Sequence, residues 1–263
     1  MAVLRSPCYL ISDTHLGVAS PDVERAMLGF LRSLPGRAES LLINGDLFDF
    51  WYEWKTVIPR SGFRVLAALA DLRDAGVEVM MVAGNHDCWG GDVLRNDVGI
   101  DYRFGPWTGS VAGWHTRVEH GDGLRQHEDR RYRMLRRVLR NPLAIRAFRW
   151  LPADFGSSLA SNSSHASRSY RARDGGAGLR QLAMEALQRS PELDMLVYGH
   201  SHVPSVERAP GGGVYANAGS WLDEPTYLVV TDERVELRRW TGSAEGDRLH
   251  TLDRRTKESL GQS

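Results

Sequence analysis

Four short apolar runs, Cys8 to Ser12, Leu41 to Asn44, Val77 to Ala83 and Met195 to Tyr198, each lead directly into Asp, Asn, Gly or His. Each pattern predicts a buried strand that delivers polar residues at its carboxyl end. Between the first three lie helical patterns over Val23 to Leu34 and Phe63 to Ala75, with Pro21 and Asp22 as a start signal and Gly36 and Gly76 as stops. Strand, helix, strand, helix, strand predicts a parallel α/β sheet with crossover helices, in which ligands sit beyond the carboxyl ends of the strands. A further helix is predicted over Leu179 to Gln188, and short strands from Val203 onward are broken by a glycine turn at Gly211 to Gly213.

After His120 the character changes. Arg125 to Arg173 carries twelve arginines against only Glu128, Asp129 and Asp154. Tyr132, Leu135 and Leu139, then Ile145, Phe148 and Leu151, recur at helical spacing, which predicts amphipathic helices with a basic face. The expected organisation is therefore one core domain, residues 1–124 and 174–245, carrying a helical cap over 125–173 and ending in a loosely held polar tail over 246–263.

Composition narrows this picture without redirecting it. With 42% hydrophobic and 25% charged residues the chain is not wholly disordered. A formal net charge of zero excludes a uniformly basic nucleic-acid binder, although not a local basic patch. Met1 to Pro7 holds no apolar run of signal-peptide length, and no stretch approaches the ~20 apolar residues of a membrane span, so a cytoplasmic protein is expected. The two cysteines, Cys8 and Cys88, read as small buried apolar residues.

The chemistry is carried by five motifs: Asp13-Thr14-His15, Gly45-Asp46-Leu47-Phe48-Asp49, Gly84-Asn85-His86-Asp87, His120-Gly121-Asp122 and Gly199-His200-Ser201-His202. Each alone is weak. Several follow predicted strands, however, so the fold would gather them at one sheet edge, and five of the nine histidines lie within them. So many desolvated polar groups in one place call for a compensating cation. The mixture of oxygen and imidazole, without thiolate, suits Mn²⁺ first, with Fe or Zn²⁺ as alternatives.

The motif set resembles that of the calcineurin-like metallophosphoesterases over about residues 8 to 221. The resemblance implies a four-layer α/β/β/α sandwich with an inserted helical cap, and two divalent metal ions. It implies that Asp13, His15, Asp46 and His202 hold one ion, and that Asp46, Asn85, His120 and His200 hold the other. Such a pair lowers the pKa of a water and clamps both attacking and leaving oxygens of a displacement at phosphorus. His86 then stabilises or protonates the leaving oxygen, and Asp87 keeps neighbouring ligands in register. Asp49 and Asp122 read equally as supports for the ligands or as structural residues.

Within that superfamily the chain resembles the UDP-2,3-diacylglucosamine hydrolases of lipid A synthesis, which cleave a pyrophosphate linkage. Gly45 to Trp51, His120 to Leu124 leading to Asp129-Arg130-Arg131-Tyr132, and Ser161 to Ser169 carry the likeness. It implies substrate contacts at Asn85, His86, Asp129, Ser161, Arg168 and His200, acyl chains against the cap, and peripheral contact with an anionic membrane. One departure stands out: many members of that family place Arg where this chain has His86. A nuclease or nucleotide phosphodiesterase would use the basic cap on a phosphate backbone, but the arginines are not interleaved with a run of stacking aromatics. A scaffold that had lost catalysis would show gaps in its ligand positions, and every position is filled.

Overall fold

The computed structural model describes residues 3–125, 129–153, 155–156 and 174–254. Strands β2 (Cys8–Ile11), β3 (Ser40–Asn44) and β4 (Glu78–Val82) run parallel, joined by helices α1 (Pro21–Arg32) and α2 (Phe63–Asp74), as the apolar runs predict. Ser20 caps α1, its hydroxyl accepting from the Val23 amide with Pro21 in the first turn. Beside β4 lies β5 (Asp101–Arg103), while β11 (Thr226–Val230) pairs antiparallel with β2 and is followed outward by β12 (Arg234–Arg239).

A second sheet, of which the four apolar runs outlined only β8, has the order β1 (Val3–Leu4), β6 (Trp107–Val111), β7 (Trp114–Val118), β8 (Met195–Val197), β10 (Val214–Asn217), β9 (Ser205–Arg208). The β9–β10 hairpin turns at Gly211 to Gly213 as expected.

Side-chain alternation divides the core into three slabs. Tyr9 and Ile11 of β2, with Leu41 and Ile43 of β3, join Phe30, Leu31, Leu69 and Leu72 of the helices. Their neighbours Cys8, Leu10 and Leu42 join Val118, Met195, Val197 and Ala216 of the second sheet. On the far side, Leu196 and Tyr215 meet Leu179, Ala183 and Leu187 of α5 (Ala177–Arg189). Three slabs between helix, sheet, sheet and helix make the four-layer α/β/β/α sandwich.

Two expectations change. The polar tail over 246–263, expected to be loosely held, contributes β13 (Asp247–Asp253), which extends the first sheet by pairing with β12. Its side chains are mostly exposed and its order comes from main-chain hydrogen bonds, which leave no hydropathy signal. In the cap, the basic face of α3 (Arg130–Leu139) turns partly inward: Arg136 and the capping Arg140 both reach the buried Asp122 carboxylate. Met134, Leu135 and Val138 of α3, and Leu143 of α4 (Pro142–Phe148), are exposed, whereas Leu139, Ile145 and Phe148 pack on the core.

The tryptophans divide likewise, Trp51 and Trp89 buried and Trp150 90% exposed. Both cysteines are buried and unpaired, and burial pushes each thiol up to about 12, which matches the inert reading.

Candidate metal centre

Parallel strands of both sheets end at one edge of the sandwich, and that edge is where the motifs meet. Asp13 and His15 follow β2, Asp46 follows β3, and Asn85 and His86 follow β4 in the first sheet. His120 follows β7 and His200 and His202 follow β8 in the second. The chain must turn sharply at each strand end. Asp13, His15, Asp46, His200 and His202 accordingly adopt left-handed backbones with φ of 51°, 50°, 51°, 61° and 60°. Among the described residues only Ala112 joins them as a non-glycine in that region. Such backbones cost of order 1 kcal/mol each and persist where surrounding contacts over-determine them.

Close packing explains the intervening glycines. A Cβ on Gly45 would stand 2.5 Å from His120 Nδ1 and 2.6 Å from the Gly84 nitrogen, and one on Gly84 would fall on Asp46 Oδ1. A Cβ on Gly199 would lie 2.9 Å from Asp13 Oδ2. Larger residues would push the carboxylates apart.

Asp46 lies between the two histidine groups, its Oδ2 3.1 Å from His120 Nε2 and 3.9 Å from His15 Nε2. Asp13 Oδ1 is 3.4 Å from His202 Nε2 and 3.9 Å from His120 Nε2. Asp13, His15 and His202 form one group with converging donor atoms, and Asp46, His120 and His200 form another.

The donor set fits metal ions for a specific reason. His120 Nδ1 donates to the Asn44 carbonyl at 2.9 Å, which leaves Nε2 with its lone pair aimed at the Asp46 carboxylate. Lone pair against carboxylate is repulsive unless a proton or a cation lies between. His15 Nε2 and His202 Nε2 likewise approach to 3.4 Å, a contact that needs a proton or a cation between the two nitrogens, and Asn85 Oδ1 is buried with no hydrogen-bond partner among the described residues. Without a cation, protons take its place: burial opposes charge on His120, but the Asp46 and Asp13 carboxylates push its pKa well up. Burial, with the neighbouring His86 and His202 rings, lowers His15 to about 4, against the pull of Asp46. The cluster thus gathers carboxylates and imidazole nitrogens that demand positive charge between them, a demand that metal ions meet in place of protons.

His86 and Asp87 differ in their contacts. His86 Nδ1 donates to the Asp49 carbonyl at 2.6 Å, and its ring meets His15 edge-on at 4.8 Å between centroids. Its amide donates to Asp46 Oδ1 at 2.9 Å. His86 therefore stands beside His15 and Asp46, and with His15 and Asp49 it forms a third group of converging donor atoms. Asp87 is fully buried, accepting from the Leu47 amide at one oxygen and the Gly84 amide at the other, both at 2.8 Å. Burial and the Asp46 charge push its carboxyl up to about 7, while the two amides pull it back. It ties the loop after β3 to the loop after β4 through their backbone amides.

Asp129 is buried and spends its carboxylate on Arg125, accepting from the backbone amide at 3.0 Å and from Nη2 at 3.2 Å. Ser161 and Arg168 lie outside the described residues.

Several supporting residues were not singled out by the motifs. Asn217 Nδ2 donates to the Gly199 carbonyl at 3.1 Å and to Ser201 Oγ at 3.0 Å, Ser220 Oγ donates to the Asp13 carbonyl at 2.9 Å, and Asp223 Oδ2 lies 3.7 Å from His202 Nδ1. Only the polar residues in Asn217-Ala218-Gly219-Ser220, directly after a predicted strand, could have pointed to them.

The chain is similar to known proteins over most of its length. The profile of the family described as calcineurin-like phosphoesterase matches residues 6–204. A UDP-2,3-diacylglucosamine hydrolase from Porphyromonas gingivalis is 34% identical over 221 residues, covering 76% of this chain and 84% of that protein. One of the same name from Stutzerimonas stutzeri is 30% identical over 237 residues, covering 85% of this chain and 94% of that protein. Among solved structures, Vps29 from Entamoeba histolytica aligns with a TM-score of 0.48 at 15% identity, covering 94% of this chain and 98% of that one.

Proposed function

We propose that this chain, which belongs to the calcineurin-like phosphoesterase family and is a hydrolase, cleaves the diphosphate of UDP-2,3-diacylglucosamine or a related lipid-linked nucleotide. The observation that carries the reaction class is the convergence of Asp13, His15, Asp46, His120, His200 and His202 on one sheet edge, with Asp46 facing both histidine groups. Asp13, His15, Asp46 and His202 would hold one divalent ion and Asp46, Asn85, His120 and His200 the other, Mn²⁺ ahead of Fe or Zn²⁺. Bound there, two such ions supply the positive charge that acidifies a water and neutralises the phosphoryl oxygens.

The residues of the chain do the rest. His120, fixed by Asn44, and Asp13, which accepts from the His200 amide at 3.1 Å, hold their donor atoms toward the centre of the site. His86, anchored through Nδ1 beside His15, would supply a proton or hydrogen bond at the departing oxygen. The names of the curated relatives support the lipid-linked substrate, and so does the cap. Met134, Leu135, Val138, Leu143 and Trp150 are exposed on a segment rich in arginine, which suits acyl chains and an anionic membrane surface. Among the described residues no helix is long and apolar enough to cross a membrane, so such contact would be peripheral, on the cytoplasmic face.

A second reading, a branch of the family acting on another nucleotide diphosphate or phosphoester, is favoured by His86 standing where many lipid A enzymes carry Arg. The deciding experiment is Mn²⁺-dependent hydrolysis of UDP-2,3-diacylglucosamine beside bis(p-nitrophenyl) phosphate, with Asp46→Ala as the control. Strong preference for the lipid nucleotide, lost in Asp46→Ala together with bound metal, is expected. Hydrolysis of the small ester alone would reject the substrate while keeping the reaction class, and full activity of Asp46→Ala would reject the metal centre.

A further inference from the structure

Asp122 closes the His120-Gly121-Asp122 motif, and the reaction outlined above gives it no part. It is 2% exposed, yet three cap side chains converge on a single oxygen of its carboxylate. Tyr132 donates its hydroxyl to Oδ2 at 2.7 Å, Arg136 Nε lies 3.0 Å from it, and Arg140 Nη2 lies 3.5 Å from it. Positions 132, 136 and 140 are spaced by four, so they form one row along α3 and its C-terminal cap. Burial opposes ionisation of Asp122, but His120 and the Arg140 and Arg136 guanidiniums hold its carboxyl below the usual range.

This row explains the inverted face of α3. Two guanidiniums drawn onto one buried carboxylate leave Met134, Leu135 and Val138 on the opposite side, 66%, 52% and 59% exposed. The same end of the cap is fastened to the other site loops. Trp89 Nε1, four residues beyond Asn85, donates to the Leu139 carbonyl at 2.5 Å. Phe148 of α4 meets the rings of Tyr52 at 4.6 Å and Trp89 at 4.9 Å between centroids. Among the described residues, Asp122 alone takes charged and hydroxyl groups from along the length of α3.

We propose that Asp122 is the positioning residue that fixes the rotation and register of the cap helix relative to the metal centre. It thereby decides which face of the cap a bulky substrate meets. The inference rests on the proposed function only where the substrate is concerned, because the anchoring itself can be read without catalysis.

The test uses the full-length, Mn²⁺-loaded protein and its Asp122→Asn and Tyr132→Phe variants, followed by hydrogen–deuterium exchange resolved to α3 and by metal content. In Asp122→Asn, amides of residues 133–140 are expected to exchange at least about tenfold faster, with metal content kept. Tyr132→Phe, which keeps both ion pairs, should give a smaller acceleration in the same residues. Unchanged exchange of α3 in Asp122→Asn, with or without loss of metal, overturns the proposal, since Asp122 would then serve His120 or nothing.

Kinetics supply the second arm: KM for the lipid nucleotide should rise about tenfold in Asp122→Asn, against a smaller change for bis(p-nitrophenyl) phosphate. An equal change for both substrates overturns the specificity role. Failure of the unmodified protein to hydrolyse the lipid nucleotide would reject the substrate reading, while α3 exchange would still decide the anchor.

Discussion

Replacing Asp87 by alanine isolates the link between the two loops that carry Asp46 and Asn85. The carboxylate is 0% exposed and accepts one bond from the Leu47 amide and one from the Gly84 amide, each at 2.8 Å. Alanine removes both acceptors and leaves two buried N–H groups without them. A buried donor left unmet costs about 1–3 kcal/mol, so Asp87→Ala should destabilise the fold by about 2–6 kcal/mol. Asp87→Asn should lie between, because its amide oxygen can satisfy one donor while its NH₂ group faces the other.

The measurement is guanidinium unfolding of EDTA-treated protein, so that lost metal affinity does not add to the difference. A lower midpoint at unchanged slope is the expected form. Turnover should fall as well, since Leu47 adjoins Asp46 and Gly84 adjoins Asn85. If metal-free Asp87→Ala is within about 0.5 kcal/mol of the unmodified protein, the range of an ordinary surface substitution, the loop-tying role is refuted.

His86→Ala should retain bound metal by elemental analysis while kcat drops by about 10²–10⁴, the span of general acid catalysis; an unchanged kcat would remove His86 from the chemistry. Gly84→Ala should lower metal content, because its methyl would fall on Asp46 Oδ1, and metal content equal to the unmodified protein would contradict the close packing. Asp174→Ala should cost about 1 kcal/mol in thermal unfolding, since Oδ1 accepts from the Gly176 amide and Oδ2 from the Gly178 amide at the start of α5. Burial slightly opposes ionisation there, but those amides lower the Asp174 pKa. Its contribution is therefore present above the ordinary carboxylate pKa and lost as pH falls through the lowered one; a difference between variant and parent that grew on acidification would refute this.

The parallel core and the residues at its edge were legible in the chain, because buried strands need continuous apolar runs and the polar residues after them stand out by contrast. Cys8 to Ser12, Leu41 to Asn44, Val77 to Ala83 and Met195 to Tyr198 match β2, β3, β4 and β8 within a residue or two. The kind of chemistry was legible too, since Asp, Asn and His after such runs converge in any fold that keeps the strands parallel.

Only the tertiary structure decided matters of contact. It separated His86, whose ring the Asp49 carbonyl holds against His15, from Asp87, which spends both oxygens on backbone amides. It placed β13 through main-chain hydrogen bonds that polar side chains do not advertise. It also turned Arg136 and Arg140 inward and left Met134 and Val138 outside, against the usual sense of an amphipathic helix. Periodicity records which residues share a face, but not which face is buried. On α3 a single buried carboxylate, supplied by a distant strand end, made that choice.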